Sequence, residues 1–256
     1  IEVYRIPLLR VAEVVGMVGL GFAVWTYRIQ ATPAPVVAAA CLALLSLMTA
    51  WGYRSQGRTW LASALVLAGL VHTLAWNYSD WVQRPWELAF LSHATLAAVA
   101  SMALTFSVRR EGEDGRAADL RRVFVRPLWS TSLISSTAVL PLVFAVPGID
   151  ALLLAEYLFW LAALWLAVAW NEGRPGLFAA AQVVLTMATT AATTAWLQRH
   201  PWDAAAVPTA VDLGDARTLQ CYGIALALMS LVWGAVRLLL GKNEIARRLL
   251  DPAWPA

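Results

Sequence analysis

The sequence predicts an all-α protein that crosses a membrane eight times, and three observations carry that prediction. The first is composition. Of 256 residues, 60% are hydrophobic and 14% charged, against about 45–50% and 25% in soluble domains. That balance excludes a soluble enzyme, a disordered tail and a nucleic-acid-binding module, despite a net charge of +3. The second is a series of apolar runs, each near the roughly 20 residues needed to span hydrocarbon at 1.5 Å rise. The third is the placement of charge. Of 19 basic residues, 15 fall on alternate connections between the runs, and only Arg28, Arg84, Arg199 and Arg217 fall on the others. Positive charge stays on the cytoplasmic side, so both chain ends are expected there, in a bacterial inner membrane.

The runs cover 7–27, 35–53, 60–78, 87–108, 128–146, 151–171, 176–197 and 219–240. They are continuous rather than alternating in polarity, which argues against spanning strands. In the first span, Glu13 sits near the cytoplasmic end, where Arg10 offers a local pair. The third and fourth spans carry His72 and His93, expected at similar depth on consecutive antiparallel helices. Two facing neutral imidazoles would hold a b-type haem or one metal ion. Structural hydrogen bonding is the preferred reading, because the second half of the chain has no matching pair.

Between the fourth and fifth spans, 109–126 reads as the longest cytoplasmic connection. Leu120, Val123 and Phe124 share one helical face, with Arg121 and Arg122 on the other. This piece is expected to lie in the membrane interface, guanidinium groups on anionic headgroups. Arg247 and Arg248, beside Ile245, Leu249 and Leu250, repeat the design. The fifth span opens at Pro127, a first-turn position where proline loses no helical hydrogen bond, and continues with the stripe Ser132, Ser135 and Ser136. The sixth contains Glu156, about two turns inside its outer end, with no basic neighbour at helical spacing. Desolvation disfavours its charged form. Two readings follow, a proton- or cation-binding group and a protonated carboxyl making one interhelical hydrogen bond. Trp160 and Trp165 of the same span read as packing residues. The seventh places Thr186, Thr190 and Thr193 on one face with Gln182. These are ordinary packing material in membranes, or, if Glu156 faces them, a polar pathway. Asp215 is placed to cap the eighth helix.

Tryptophan agrees with these boundaries. Trp25, Trp51, Trp60, Trp76, Trp81, Trp86, Trp129, Trp170, Trp196 and Trp202 lie near span ends, where an indole keeps its ring in acyl chains and its N–H in headgroups.

The two halves also resemble each other. Residues 121–129 read RRVFVRPLW and 247–254 read RRLLDPAW; 81–86 read WVQRPW and 196–202 read WLQRHPW. Pro7, Pro127 and Pro252 recur at comparable intervals. A tandem parallel repeat of four spans accounts for this, with residues 1–126 as the first unit and 127–256 as the second. Pro252 and Trp254 read as the opening of a further unit, so the chain is expected to be part of a longer protein or complex.

Chemistry-bearing motifs are few. Cys41 and Cys221 lie in apolar runs, which favours neither a disulfide nor a thiolate metal site. No phosphate-binding glycine loop, HExxH or GxSxG is present. The expected function is therefore a non-enzymatic membrane module acting as scaffold or anchor, with no resident cofactor. Its partners would be anionic lipid and other membrane subunits or repeats. One alternative is a transporter-like module whose polar site is Glu156, Thr186, Thr190, Thr193, Ser132 and Ser135. Another is an electron-transfer subunit holding haem b through His72 and His93.

Overall fold

The computed structural model describes residues 11–12, 14–19, 21, 33–78, 82, 84–111, 115–145, 148–200, 211, 213–240 and 249. Among these no strand occurs, and seven helices are long and apolar enough to cross a membrane. This is the make-up of an integral membrane protein. Much of the first expected span, with Arg10, Glu13 and Trp25, lies outside the described residues, as do Pro7, Trp81, Trp202, Arg247, Arg248 and Pro252.

Contacts divide the chain into two compact units, Ile1–Phe144 and Ala145–Ala256. In the first, α1 spans Ala34–Tyr53 and ends at Arg54, whose left-handed backbone (φ 49°) lets the Ser55 N–H return to the Ala50 carbonyl at 3.0 Å. The reversal places α2 (Gln56–His72) back against α1. Leu42 and Ala43 of α1 form a core with Ala62 and Leu65 of α2. Lipid tails are as apolar as leucine, so such pairs gain by close approach rather than by escape from water. Gly16 shows this in the preceding helical segment: a Cβ there would collide with the Leu42 side chain.

Helix α2 runs on into a π-helical turn, Thr73–Asn77, closed by the Tyr78 N–H on the Thr73 carbonyl. Helix α3 covers Pro85–Glu111, with proline in its first turn, where a missing N–H costs nothing. Next come the short α4 (Gly115–Leu120), a second π turn (Arg121–Val125) and α5 (Arg126–Ala145). The long cytoplasmic connection expected over 109–126 is thus helical on both sides of 112–114, and 115–145 is one continuous helix.

Proline explains the second π turn. In an α-helix the Val123 carbonyl would accept from residue 127, which is Pro127 and has no N–H; its ring also crowds that carbonyl. The backbone widens there, and the Arg126 N–H reaches the Arg121 carbonyl instead. Thr59 of α2 then donates its hydroxyl to the freed Val123 carbonyl at 2.7 Å. Pro127 therefore lies inside a helix, where a first-turn position was expected. Val123 meets α2 rather than the interface, and Trp129, expected among headgroups, is buried.

In the second unit, α6 (Ala151–Glu172) begins at Asp150, whose carboxylate accepts from the Leu152 and Leu153 N–H groups at 3.1 and 3.3 Å. It ends at Gly173 (φ 63°), a left-handed position that suits glycine. Helix α7 (Pro175–Arg199) follows at once. Ala181, Ala188, Ala191 and Ala195 line its buried side, and α6 packs closely upon it with Leu158, Leu161, Trp165 and Val168 buried in turn. Helix α8 (Ala216–Leu240) opens at Asp215, which accepts from the Arg217 N–H at 3.2 Å and from the Thr218 hydroxyl at 3.4 Å. The expected cap is present. The most apolar stretch of α8 contributes no buried residue.

Candidate functional site

The polar centre of the first unit is His93 on α3. Its Nε2 lies 2.9 Å from both the hydroxyl and the carbonyl of Ser63 on α2, and its Nδ1 lies 2.8 Å from the Ser135 hydroxyl on α5. A carbonyl can only accept, so the network assigns the ring proton to Nε2, and Nδ1 accepts from Ser135. One imidazole thereby ties three spanning helices. Neighbouring hydroxyls extend the seam, with Ser132 donating to the Ala94 carbonyl at 2.8 Å and Ser101 to that of Val125 at 3.2 Å. Beside His93 lies a small apolar cavity of about 170 Å³, walled by Leu47, Val66, Leu96 and Leu128. The Nε2 proton leaves Ser63 without the adjacent base that a serine nucleophile requires.

His72 has a different environment. Its ring lies 5.5 Å from that of Trp76, which meets Trp86 edge-on at 6.2 Å. Both nitrogens are shielded from solvent and find no hydrogen-bond partner among the described residues. The two histidines are not brought together. His93 faces Ser63, nine residues before His72 on the same helix, which is roughly 13 Å along the axis at 1.5 Å per residue. With both His93 nitrogens engaged, the geometry offers no bis-histidine haem site. Among the described residues, no three His, Cys, Asp or Glu side chains gather where they could share a metal ion.

In the second unit, Glu156 lies on the exposed side of α6. No hydrogen bond or ion pair links it to the threonines of α7. Those hydroxyls bond backward within their own helix: Thr186 to the Gln182 carbonyl, Thr190 to Met187 and Thr193 to Thr189, at 2.8–2.9 Å. Of the stripe, Thr186 also lies 4.0 Å from the Met229 sulfur of α8, and the neighbouring Thr189 and Thr194 meet α8 at Met229 (3.6 Å) and at the Tyr222 hydroxyl (2.6 Å). Self-bonded threonines are packing surfaces. Ser132 and Ser135 are spent on α3.

Comparison with protein-family models, with curated proteins and with solved structures finds no match to this chain.

Of the basic residues expected at headgroups, Arg121 and Arg122 are exposed, and Arg122 stands 3.8 Å from Asp119, which also pairs with Arg54 at 2.9 Å. Arg116 rests over the Trp51 ring at 5.9 Å. Two features escaped the sequence reading. Ser63 is indistinguishable in sequence from any small packing residue. Arg84 and Glu87 form a buried ion pair at 2.8 Å, and Arg84 also donates to the Val143 carbonyl near the end of α5. Their three-residue spacing was a usable signal. Arg84 read instead as one of the few basic residues on an outer connection.

Proposed function

We propose that this protein is a non-enzymatic membrane module that serves as a scaffold or anchor, one face of which is covered by another membrane helix. The observation that carries the proposal is where polar groups go. His93 and its serines are spent on joining helices, while Glu156 faces outward from α6. Ionisable groups within spans nearly always face protein or a water-filled cavity. Phe159, Ala163, Ala167 and Trp170 share the exposed side of α6 with Glu156. The Ala163–Ala167 spacing of four permits close approach of a second helix, and a hydrogen-bond donor on that helix would satisfy the carboxyl.

The proposal includes eight spans in two tandem four-span repeats, termini on the cytoplasmic side, anionic lipid at the basic end and a bacterial inner membrane. The distribution of arginine and the paired motifs at 121–129 and 247–254 support it. A photo-cross-linking residue placed at Ala163 in cells tests the central point. A discrete protein adduct, lost in Glu156→Leu, is expected. Lipid adducts alone, together with solute flux through the reconstituted chain, would replace the scaffold by a transporter.

A further inference from the structure

A second cavity lies in the second unit, between the start of α7 and the end of α8. It encloses about 380 Å³, and its walls include Phe178 and Gln182 of α7, Trp233 and Arg237 of α8, and Leu249. That size falls within the range of small-ligand sites. Phe178 and Trp233 meet edge-on at 5.5 Å, and Phe178 and Leu249 belong to a buried cluster with Ala169 of α6. The wall is thus backed by α6, α7 and α8.

The polar groups on this wall are mostly donors, and two are unspent. Among the described residues, the Trp233 Nε1–H, which is shielded from solvent, finds no acceptor, and the Gln182 side chain makes no hydrogen bond. Arg237 adds a guanidinium in the last turn of α8. Among the described residues that line the cavity there is no carboxylate. Pro175 at the rim marks the first turn of α7, where backbone N–H groups are unpaired within the helix and the helix dipole favours negative charge. The donors sit at two depths. Arg237 and the α7 start form the rim; Trp233 lies one turn deeper, roughly 6 Å, and Gln182 roughly 10 Å inside the start of α7.

We infer that this cavity binds the head of an anionic phospholipid. The phosphate sits at the rim on Arg237 and the first turn of α7, and an ester carbonyl reaches the Gln182 amide and the Trp233 N–H below. The chemistry at the rim is that of any phosphate. The apolar lower walls, Phe178, Trp233 and Leu249, select a phosphate carried on acyl chains. This assignment does not depend on the scaffold reading.

Native mass spectrometry of the full chain in detergent tests it, with phosphatidylglycerol, phosphatidylcholine and inorganic phosphate as separate probes. The unaltered protein is expected to retain one phosphatidylglycerol in preference to phosphatidylcholine. Arg237→Gln is expected to weaken that first adduct about fivefold, the effect of one basic residue near a headgroup. Trp233→Phe, which keeps the ring packing, and Gln182→Leu are each expected to weaken it about threefold, as one lost hydrogen bond does. Arg217→Gln, at the opposite end of α8, is expected to leave it unchanged. Retention of the full preference in Arg237→Gln and Trp233→Phe would overturn the site. So would equal weakening by Arg217→Gln. Competition by inorganic phosphate as effective as by the lipid would reassign the cavity to the free anion.

Discussion

At position 93 the imidazole is held on both nitrogens by hydroxyls from other helices, and at position 72 neither nitrogen finds a partner among the described residues. Hydrogen bonds between membrane helices contribute about 0.6 kcal/mol each on average and up to about 1.7. Removing one partner also strands the other as an unsatisfied buried group. His93→Leu abandons Ser63 and Ser135 together, so a loss of about 2 kcal/mol is expected in reversible unfolding from mixed micelles. His72→Leu removes a shielded polar ring that gains nothing from hydrogen bonding, and should fall within about 0.5 kcal/mol of the unaltered protein or above it. Equal losses at the two positions would mean that His72 has a partner too. No span-length pattern separates these residues beforehand. Both are single histidines in apolar runs, and their difference lies in which helix face meets serine.

Proline acts at the scale of the element. Pro127 withholds the N–H that the Val123 carbonyl would otherwise take, the helix opens into a π turn, and Thr59 supplies the missing donor from α2. A local defect in one helix thereby becomes a tie between two. Thr59→Val should cost about 1–2 kcal/mol, because it leaves a buried carbonyl unpaired. Pro127→Ala restores the internal donor, and in that background Thr59→Val should cost about 1 kcal/mol less. A double-mutant cycle by thermal unfolding measures this coupling; strictly additive effects would contradict it. Pro127 could be read in sequence as a boundary signal, and membrane helices usually honour that reading. The reading failed because Arg121–Val125 is apolar enough on one side to be buried, so the helix gained more by continuing through the proline than by starting at it. The cap at Asp215 was legible, since a short acidic side chain just ahead of an apolar run needs only its own chain to bond.

For the whole molecule, charge asymmetry is the basis of the proposed orientation. A single cysteine in 115–120, introduced after removal of Cys41 and Cys221, should react with an impermeant maleimide only once the inner membrane is opened. One at Leu213 should react in intact spheroplasts. The reverse pattern would invert the proposed topology and all assigned depths with it. Contacts place the division of the chain between Phe144 and Ala145. The motif similarity that motivates a boundary at 126/127 is a statement about sequence, and the two answer different questions. The helix over 115–145 belongs with α2 and α3 in space because the serines of α5 bond to α3 and Val123 of its π turn bonds to α2.

From the sequence alone came the membrane class, the positions of the apolar helices apart from the start of the fifth expected span, and the cap at Asp215. These follow from run length, composition and bonds within a few residues. Tertiary structure decided which polar side chains are consumed and which are left facing outward. Sequence could not separate Ser63 from any other serine, or show that the Thr186–Thr193 stripe turns toward α8 while Glu156 does not meet it. Rotation of a helix about its axis is set by the shapes of its neighbours, and small residues, which permit many close packings, leave little trace of the one adopted.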